Sequence, residues 1–167
     1  MIPYQSLPTP PDELSAGKLL ARLVDGIGFR YFIATEGLTA KEIDFRPTPE
    51  SRNMIELLQH IYQLVNWTSN AFKLPYTTIK ETENFELLRM ETLQLCQLFS
   101  QHLSNLSPAE IEKASVYLKR LDKDFSFWYL INGPLADALT HIGQVNSWRR
   151  VAGNPISRIS PFTGEAY

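Results

Sequence analysis

The sequence contains a single cysteine, Cys96, among 167 residues, so no disulfide can form within the chain. A chain without internal disulfides is suited to a reducing compartment. The N-terminal segment has neither the basic region nor the apolar centre of a secretory signal. No run of about 18 apolar residues, the length that spans a bilayer, occurs in the sequence. We therefore expect a cytoplasmic protein that does not enter a membrane.

The sequence also lacks an excess of either charge, with 16 Lys and Arg against 18 Asp and Glu. Dedicated nucleic-acid-binding domains are usually basic, so this balance argues against nucleic acid as a partner. There is no Gly-rich phosphate loop, no Gly-x-Ser-x-Gly, no Cys-x-x-Cys and no His-Glu-x-x-His. The usual motifs for nucleotide binding, serine hydrolysis, dithiol redox chemistry and zinc proteolysis are thus missing.

The apolar residues that are present recur mostly at helical spacing. A chain of this length fits one domain, residues 1–167, with a sizeable core. The pattern predicts four long helices, at about 15–36, 50–70, 83–104 and from near Asn132 to Gly153. We therefore predict an all-α protein, a four-helix bundle.

The connections between these helices are less regular. Residues 1–13 and 37–49 are rich in proline and should be irregular. Ser107-Pro-Ala-Glu110 predicts a short capped helical turn, with serine as the cap and proline at the first position. Residues 115–131 fit either short strands or a linking helix, and the last dozen residues look extended.

The most informative feature is the spacing of Asp137 and His141. Residues four apart on a helix lie on the same face, one turn from each other, so this pair can chelate one metal ion. His60, on the second predicted helix, is the candidate for a third ligand. Two imidazoles and a carboxylate bind a divalent metal and leave coordination positions open for water or substrate.

Each of these residues also has an ordinary structural explanation. Asp137 falls in the first turn of its helix, where the helix dipole stabilises a carboxylate without any metal. A lone histidine such as His60 on an apolar helix is more often a hydrogen-bonded core residue. On a helical wheel, Asp137, His141, Gln144 and Trp148 share an arc away from the apolar one. That arc is either a solvated face or the wall of a cleft, and the tryptophan favours the cleft.

Other residues carry less information about chemistry. Cys96 lies on an apolar stripe with no neighbouring base, so we interpret it as a core residue rather than a nucleophile. Arg149 lies near the C-terminus of the last helix, where a cation offsets the dipole, and it is also a candidate for binding an anionic substrate group. We therefore name Gln144, Trp148 and Arg149 as the candidate substrate-binding residues.

Two of these segments resemble the DinB-like superfamily, which includes the damage-inducible DinB proteins and the bacillithiol S-transferases. They are Leu58-Gln-His60-Ile on the second helix and Asp137-Ala-Leu-Thr-His141-Ile-Gly-Gln144 on the fourth. The family is a four-helix bundle whose metal is held by a histidine on the second helix and a His-x-x-x-His pair on the last. His60 and His141 match this pattern, and the Gly-Gln after His141 is common in the family. Asp137 stands where the family usually has the first histidine of the pair.

The resemblance implies a divalent metal, zinc or nickel first, with iron or manganese as alternatives. It implies an enzyme that transfers a low-molecular-weight thiol to a small electrophile, and it suggests a homodimer. The metal chemistry alone also allows a hydrolase, in which a metal-bound water attacks the electrophile. The alternative from the residues is a non-catalytic helical binding or stress-response protein, whose polar cluster is structural.

Overall fold

The computed structural model describes residues 2–160 and 162–167, and this part of the chain is mostly helical. In chain order the helices are α1 (Ala16–Thr35), α2 (Ala40–Ile43), α3 (Met54–Ala71), α4 (Phe85–Ser104), α5 (Pro108–Glu112), α6 (Phe127–Leu130) and α7 (Ala136–Ala152). The strands β1 (Ser115–Leu118) and β2 (Lys123–Ser126) pair antiparallel. Within the described residues, no helix combines the length and the apolar character needed to cross a bilayer.

The four long helices pack around a shared apolar core. Helix α1 lies against α4 and α7, and α3 lies against the same two helices. Fully burying one large apolar side chain stabilises the fold by about 1.5–3 kcal/mol, and this core contains many. Its largest fully buried members include Tyr31, Tyr62, Phe99, Ile27, Met54, Leu57, Leu58 and Ile61. The residues on either side of His60 in α3 therefore anchor that helix in the core.

Helix α3 begins at Met54, later than the sequence pattern predicted, because Asn53 caps it. The Asn53 side-chain oxygen accepts from the backbone N–H of Glu56 at 3.0 Å. The Glu56 carboxylate accepts from the backbone N–H of Asn53 at 2.8 Å and pairs with Arg46 at 3.1 Å. This reciprocal capping satisfies N–H groups that a helix start otherwise leaves unpaired. It sets the position at which α3 begins, two turns before His60.

The predicted first and third helices are confirmed to within two residues at each end. In α1, Gly28 permits a close approach, since a Cβ at this position would lie 2.4 Å from the ring of Tyr4.

The proline-rich segment 37–49, predicted as irregular, contains the short helix α2, which is capped by Thr39 and Glu42. The helical turn after Ser107 is confirmed with its cap and its proline.

Residues 115–131 contain both of the structures that the sequence allowed. The hairpin of β1 and β2 is followed directly by α6. The expected all-α class therefore holds for the bulk of the chain, and the two-stranded sheet is the exception. A wide helical turn, Ile131–Leu135, joins α6 to α7 and contains a kink at Gly133, with φ −90° and ψ −106°. The regular part of α7 starts only after this turn, so Asp137 lies in its first turn.

The core position of Cys96 gives the first prediction. The thiol is fully buried in α4, and burial raises its pKa to about 12. Only the thiolate reacts readily, so we expect the native protein to be inert to 5,5′-dithiobis(2-nitrobenzoic acid) at pH 8. After unfolding in guanidinium chloride, one thiol per chain should react at once. Rapid reaction of the native protein would contradict the core assignment.

Candidate metal centre

The packing of α3 against α7 brings His60 to the pair formed by Asp137 and His141. Nε2 of His141 lies 3.5 Å from Oδ1 of Asp137, and Nε2 of His60 lies 3.9 Å from Oδ2 of the same carboxylate. The two imidazole rings meet edge to face, with their centroids 4.8 Å apart. The three potential ligand atoms all lie within 4.8 Å of one another. The structure thus brings together all three residues that the sequence named as ligands.

This arrangement fits a divalent ion. Tetrahedral zinc with bonds of about 2.0–2.1 Å to nitrogen and oxygen holds its ligand atoms roughly 3.3 Å apart. The distances to the two Asp137 oxygens, 3.5 and 3.9 Å, are slightly longer than that separation, and the three ligand atoms all lie within 4.8 Å of one another. Small side-chain rotations would therefore close the three groups around one ion. The His side chains are 24% and 16% exposed and that of Asp137 is 49% exposed, so the group is accessible from solvent.

The ring of His141 is held by Gln144, one turn further along α7. Nδ1 of His141 lies 2.9 Å from Oε1 of Gln144. An amide oxygen can only accept, so Nδ1 carries the proton, and in the neutral form of the ring the lone pair is then on Nε2. That lone pair faces Asp137, on the side where an ion would bind. Gln144 therefore supports a ligand, the role that outer-shell partners have in metal sites.

The protonation state of His60 also suits metal binding. Partial burial lowers its pKa below the ordinary value of histidine, and the positive charge of Arg52 and the neighbouring His141 lower it further. Asp137 acts in the opposite direction but does not reverse the shift. His60 is therefore neutral at pH 7, which is the form of imidazole that binds a metal.

Two clefts with different lining residues border the group. His60 lines one of about 470 Å³, together with Arg52, Glu56, Gln59, Gln63 and Glu81. Asp137 lines another of about 390 Å³, together with Leu64, Trp67, Gly133, Pro134 and Thr140. Both volumes fall in the range of about 300–1,000 Å³ that is typical of small-molecule sites. His60 and Asp137 thus each line a cleft through which a small molecule can reach the group.

Arg149 does not belong to this site, which corrects the sequence-based assignment. Its side chain is buried, and its guanidinium donates to the backbone oxygens of Ala34, Glu36 and Asn154 at 2.7–3.0 Å. It ties the end of α7 to the end of α1 and uses its hydrogen-bonding capacity within the fold. Twelve residues of α-helix also place it about 18 Å along the axis from Asp137.

Trp148 is likewise a packing residue and not a cleft wall. It is 8% exposed, and its ring meets that of Phe45 edge to face at 6.3 Å. The segment that contains α2 covers this part of the polar arc, which a wheel of α7 alone does not reveal. The tryptophan near the group is Trp67, which the sequence analysis missed. The available signal was its spacing, since a residue seven positions after His60 lies two turns along the same helix face.

The metal centre predicts how variants bind zinc. We expect the wild type to bind one zinc ion per chain. We expect Asp137→His, which forms a His-x-x-x-His pair with His141, to bind zinc as well. Asp137→Ala and His60→Ala should bind more than about tenfold more weakly, because even loss of an outer-shell partner costs about 10–100-fold. Calorimetric titration of metal-free proteins in one buffer measures this.

The matched control is His102→Ala, because His102 lies in α4 and its Nε2 is hydrogen-bonded to the backbone oxygen of Phe72 at 2.8 Å. This variant should bind zinc as the wild type does. Equal affinities for the wild type and the Asp137 variants would remove Asp137 from the site and leave it as a residue that only interacts with the helix dipole.

Comparison with protein-family models, curated proteins and solved structures finds no match for this chain. The resemblance to the DinB-like superfamily therefore depends on the helix order and on the short segments around His60 and His141. Any assignment of function starts from the geometry of the metal centre.

Proposed function

We propose that this protein is a divalent-metal-dependent enzyme of the DinB-like superfamily that acts on small electrophiles, as a thiol S-transferase or a hydrolase. The observation that carries the proposal is the group of His60, Asp137 and His141. In the same proposal, α1, α3, α4 and α7 form the DinB-like four-helix bundle. The histidine on the second long helix and the His141-Ile-Gly-Gln144 segment on the last support this membership.

The donor set narrows the choice of metal. Imidazole nitrogen suits zinc, nickel, iron and copper, and a carboxylate adds a harder oxygen ligand. Zinc or nickel is our first choice, with iron or manganese as the alternatives. A divalent ion held by these residues supplies Lewis acidity, which favours the anionic form of a thiol or of water at neutral pH.

The protein residues have separate tasks in this proposal. His60 and His141 supply neutral nitrogen ligands, and Gln144 fixes the tautomer of His141. Asp137 brings a negative charge, which offsets part of the charge of the ion. Its exposed side leaves room for a substrate beside the ligands.

The transferred thiol has to come from outside the chain, because the only cysteine is buried in α4. In the transfer, the external thiol loses its proton to solvent and its sulfur forms a bond to the electrophilic carbon. The bond from that carbon to the leaving group breaks, and the leaving group departs with the electron pair. In hydrolysis, the oxygen of a water molecule takes the place of the sulfur.

A non-catalytic binding or stress-response protein is the second candidate. The observation that favours it is Asp137 itself, which replaces the usual histidine and lies half-exposed in the first turn of α7. In that position the helix dipole alone stabilises the carboxylate, and the cluster needs no metal to be stable.

Activity that depends on the metal separates the two candidates. We expect turnover of 1-chloro-2,4-dinitrobenzene or of a small epoxide with at least one low-molecular-weight thiol, such as cysteine, glutathione or bacillithiol. Treatment with a chelator should lower the rate at least about tenfold, since the ion provides the Lewis acid, and added zinc or nickel should restore it. The rate is measured by absorbance, with the uncatalysed reaction subtracted.

The paired variants are His60→Ala, which should lose the activity, and His102→Ala, which should keep it. Failure of every pair of thiol and electrophile to react faster than in buffer would favour the binding protein. A reaction rate that neither chelation nor His60→Ala changes would also favour the binding protein.

A further inference from the structure

The cleft beside Asp137 differs in chemistry from the one beside His60. It is formed by Leu64 and Trp67 of α3, the wide turn around Gly133 and Pro134, and the first turn of α7. Asp137 is the only charged residue among those that line it. We call this the Trp67 cleft. The lining also includes the side-chain amide of Asn132 and the hydroxyl of Thr140, which donates to the backbone oxygen of Ala136. A largely apolar lining with a single charged group suits an uncharged ligand.

The wide turn before α7 shapes the Trp67 cleft. A Cβ added to Gly133 would meet no atom within 4 Å, so the backbone of this residue borders open space. Pro134 has no N–H, which leaves that position of the wall without a backbone donor. The dihedral angles of Gly133 are not helical, so the turn is a kink between two helical segments. Here the turn lies immediately before the ligand Asp137 and leaves open the space next to it.

The cleft beside His60 is charged. Arg52, Glu56, Glu81 and Glu83 line it, and so do the side-chain amides of Gln59 and Gln63. A ligand with charged or hydrogen-bonding groups is better solvated there than against Trp67. The two clefts reach the metal centre through different ligands, His60 on the charged side and Asp137 on the apolar side.

We propose that the Trp67 cleft is the subsite for the electrophilic substrate and that this substrate is uncharged and planar, typically aromatic. The thiol then reaches the group from the charged cleft. This inference rests on the proposed function, because it assigns one of the two substrates of that reaction to a place. Trp67 is its specificity residue, since an indole ring packs well against a flat apolar ligand.

The test of binding uses 2,4-dinitrotoluene, an uncharged planar compound without a leaving group, and the fluorescence of the three tryptophans. Trp128→Phe is the control variant, because Trp128 is 67% exposed and is not among the residues that line the cleft. In this variant and in the wild type, quenching of tryptophan fluorescence should saturate as the concentration of 2,4-dinitrotoluene rises. In Trp67→Phe the quenching should increase only linearly with that concentration, as it does for random collisions. Linear quenching in all three proteins, or saturation that Trp67→Phe leaves unchanged, would overturn the subsite.

A kinetic arm separates this inference from the proposed function. Trp67→Ala should raise KM for 1-chloro-2,4-dinitrobenzene about 3- to 10-fold through loss of the aromatic contact, with KM for the thiol and zinc affinity unchanged. Trp128→Ala should change none of these values. If Trp67→Ala turns over 1-chloro-2,4-dinitrobenzene with an unaltered KM, the subsite is refuted but the proposed enzymatic function stands. Saturable quenching through Trp67 without any turnover would refute the enzyme and support the cleft as a binding site.

Discussion

The contact between α3 and α7 determines whether a metal centre exists at all. Asp137 and His141 are one turn apart on α7 and are paired by local geometry alone. His60 joins them only because α3 lies alongside α7 in the right register. The capping box of Asn53 and Glu56 sets where α3 begins, and the wide turn Ile131–Leu135 sets where the regular part of α7 begins. At its far end, α7 is held to the end of α1 by Arg149.

Asp137 has the largest effect on the chemistry that this centre can support. A carboxylate makes the site one charge more negative than a third imidazole would. An ion bound there would be a weaker Lewis acid but would be held by a stronger electrostatic attraction. Its half-exposed position also opens the site toward the apolar Trp67 cleft. The Asp137 carboxylate thus connects the candidate metal centre to a potential substrate site.

The sequence was sufficient for those features that depend on local spacing. The long helices follow from apolar periodicity, and the pairing of Asp137 with His141 follows from a separation of four residues. His60 was named as the candidate third ligand because it is a histidine on another predicted helix, and the packing of the two helices places it at the pair. The capped turn after Ser107 could be predicted because a serine cap, a proline at the first position and a glutamate three residues after the cap each have a known local role.

The sequence failed where contacts between distant segments decide a side chain's role. Arg149 looked like an anion-binding residue, but the carbonyl groups that it binds at the end of α1 lie more than a hundred residues away in the chain. The helical wheel predicted that Trp148 lines a cleft, but in the structure Phe45 packs against its ring. Trp67 was overlooked although its spacing of seven from His60 places it on the same helix face, because spacing alone does not show whether an aromatic residue lies in the core or lines a cleft.

The central claim is that His60 and His141 bind one ion through their Nε2 atoms, and side-chain ¹⁵N NMR of the histidines tests it most directly. The chain has three histidines, and the third, His102, binds the oxygen of Phe72 through its own Nε2 and serves as an internal reference. Adding one equivalent of zinc to the metal-free protein should shift the Nε2 signals of His60 and His141 together. The Nδ1 of His141 should stay protonated, and His102 should stay unchanged. If the Nε2 signals of His60 and His141 do not shift when up to one equivalent of zinc is added, these residues do not form a metal centre. The same conclusion follows if the signals of all three histidines shift alike.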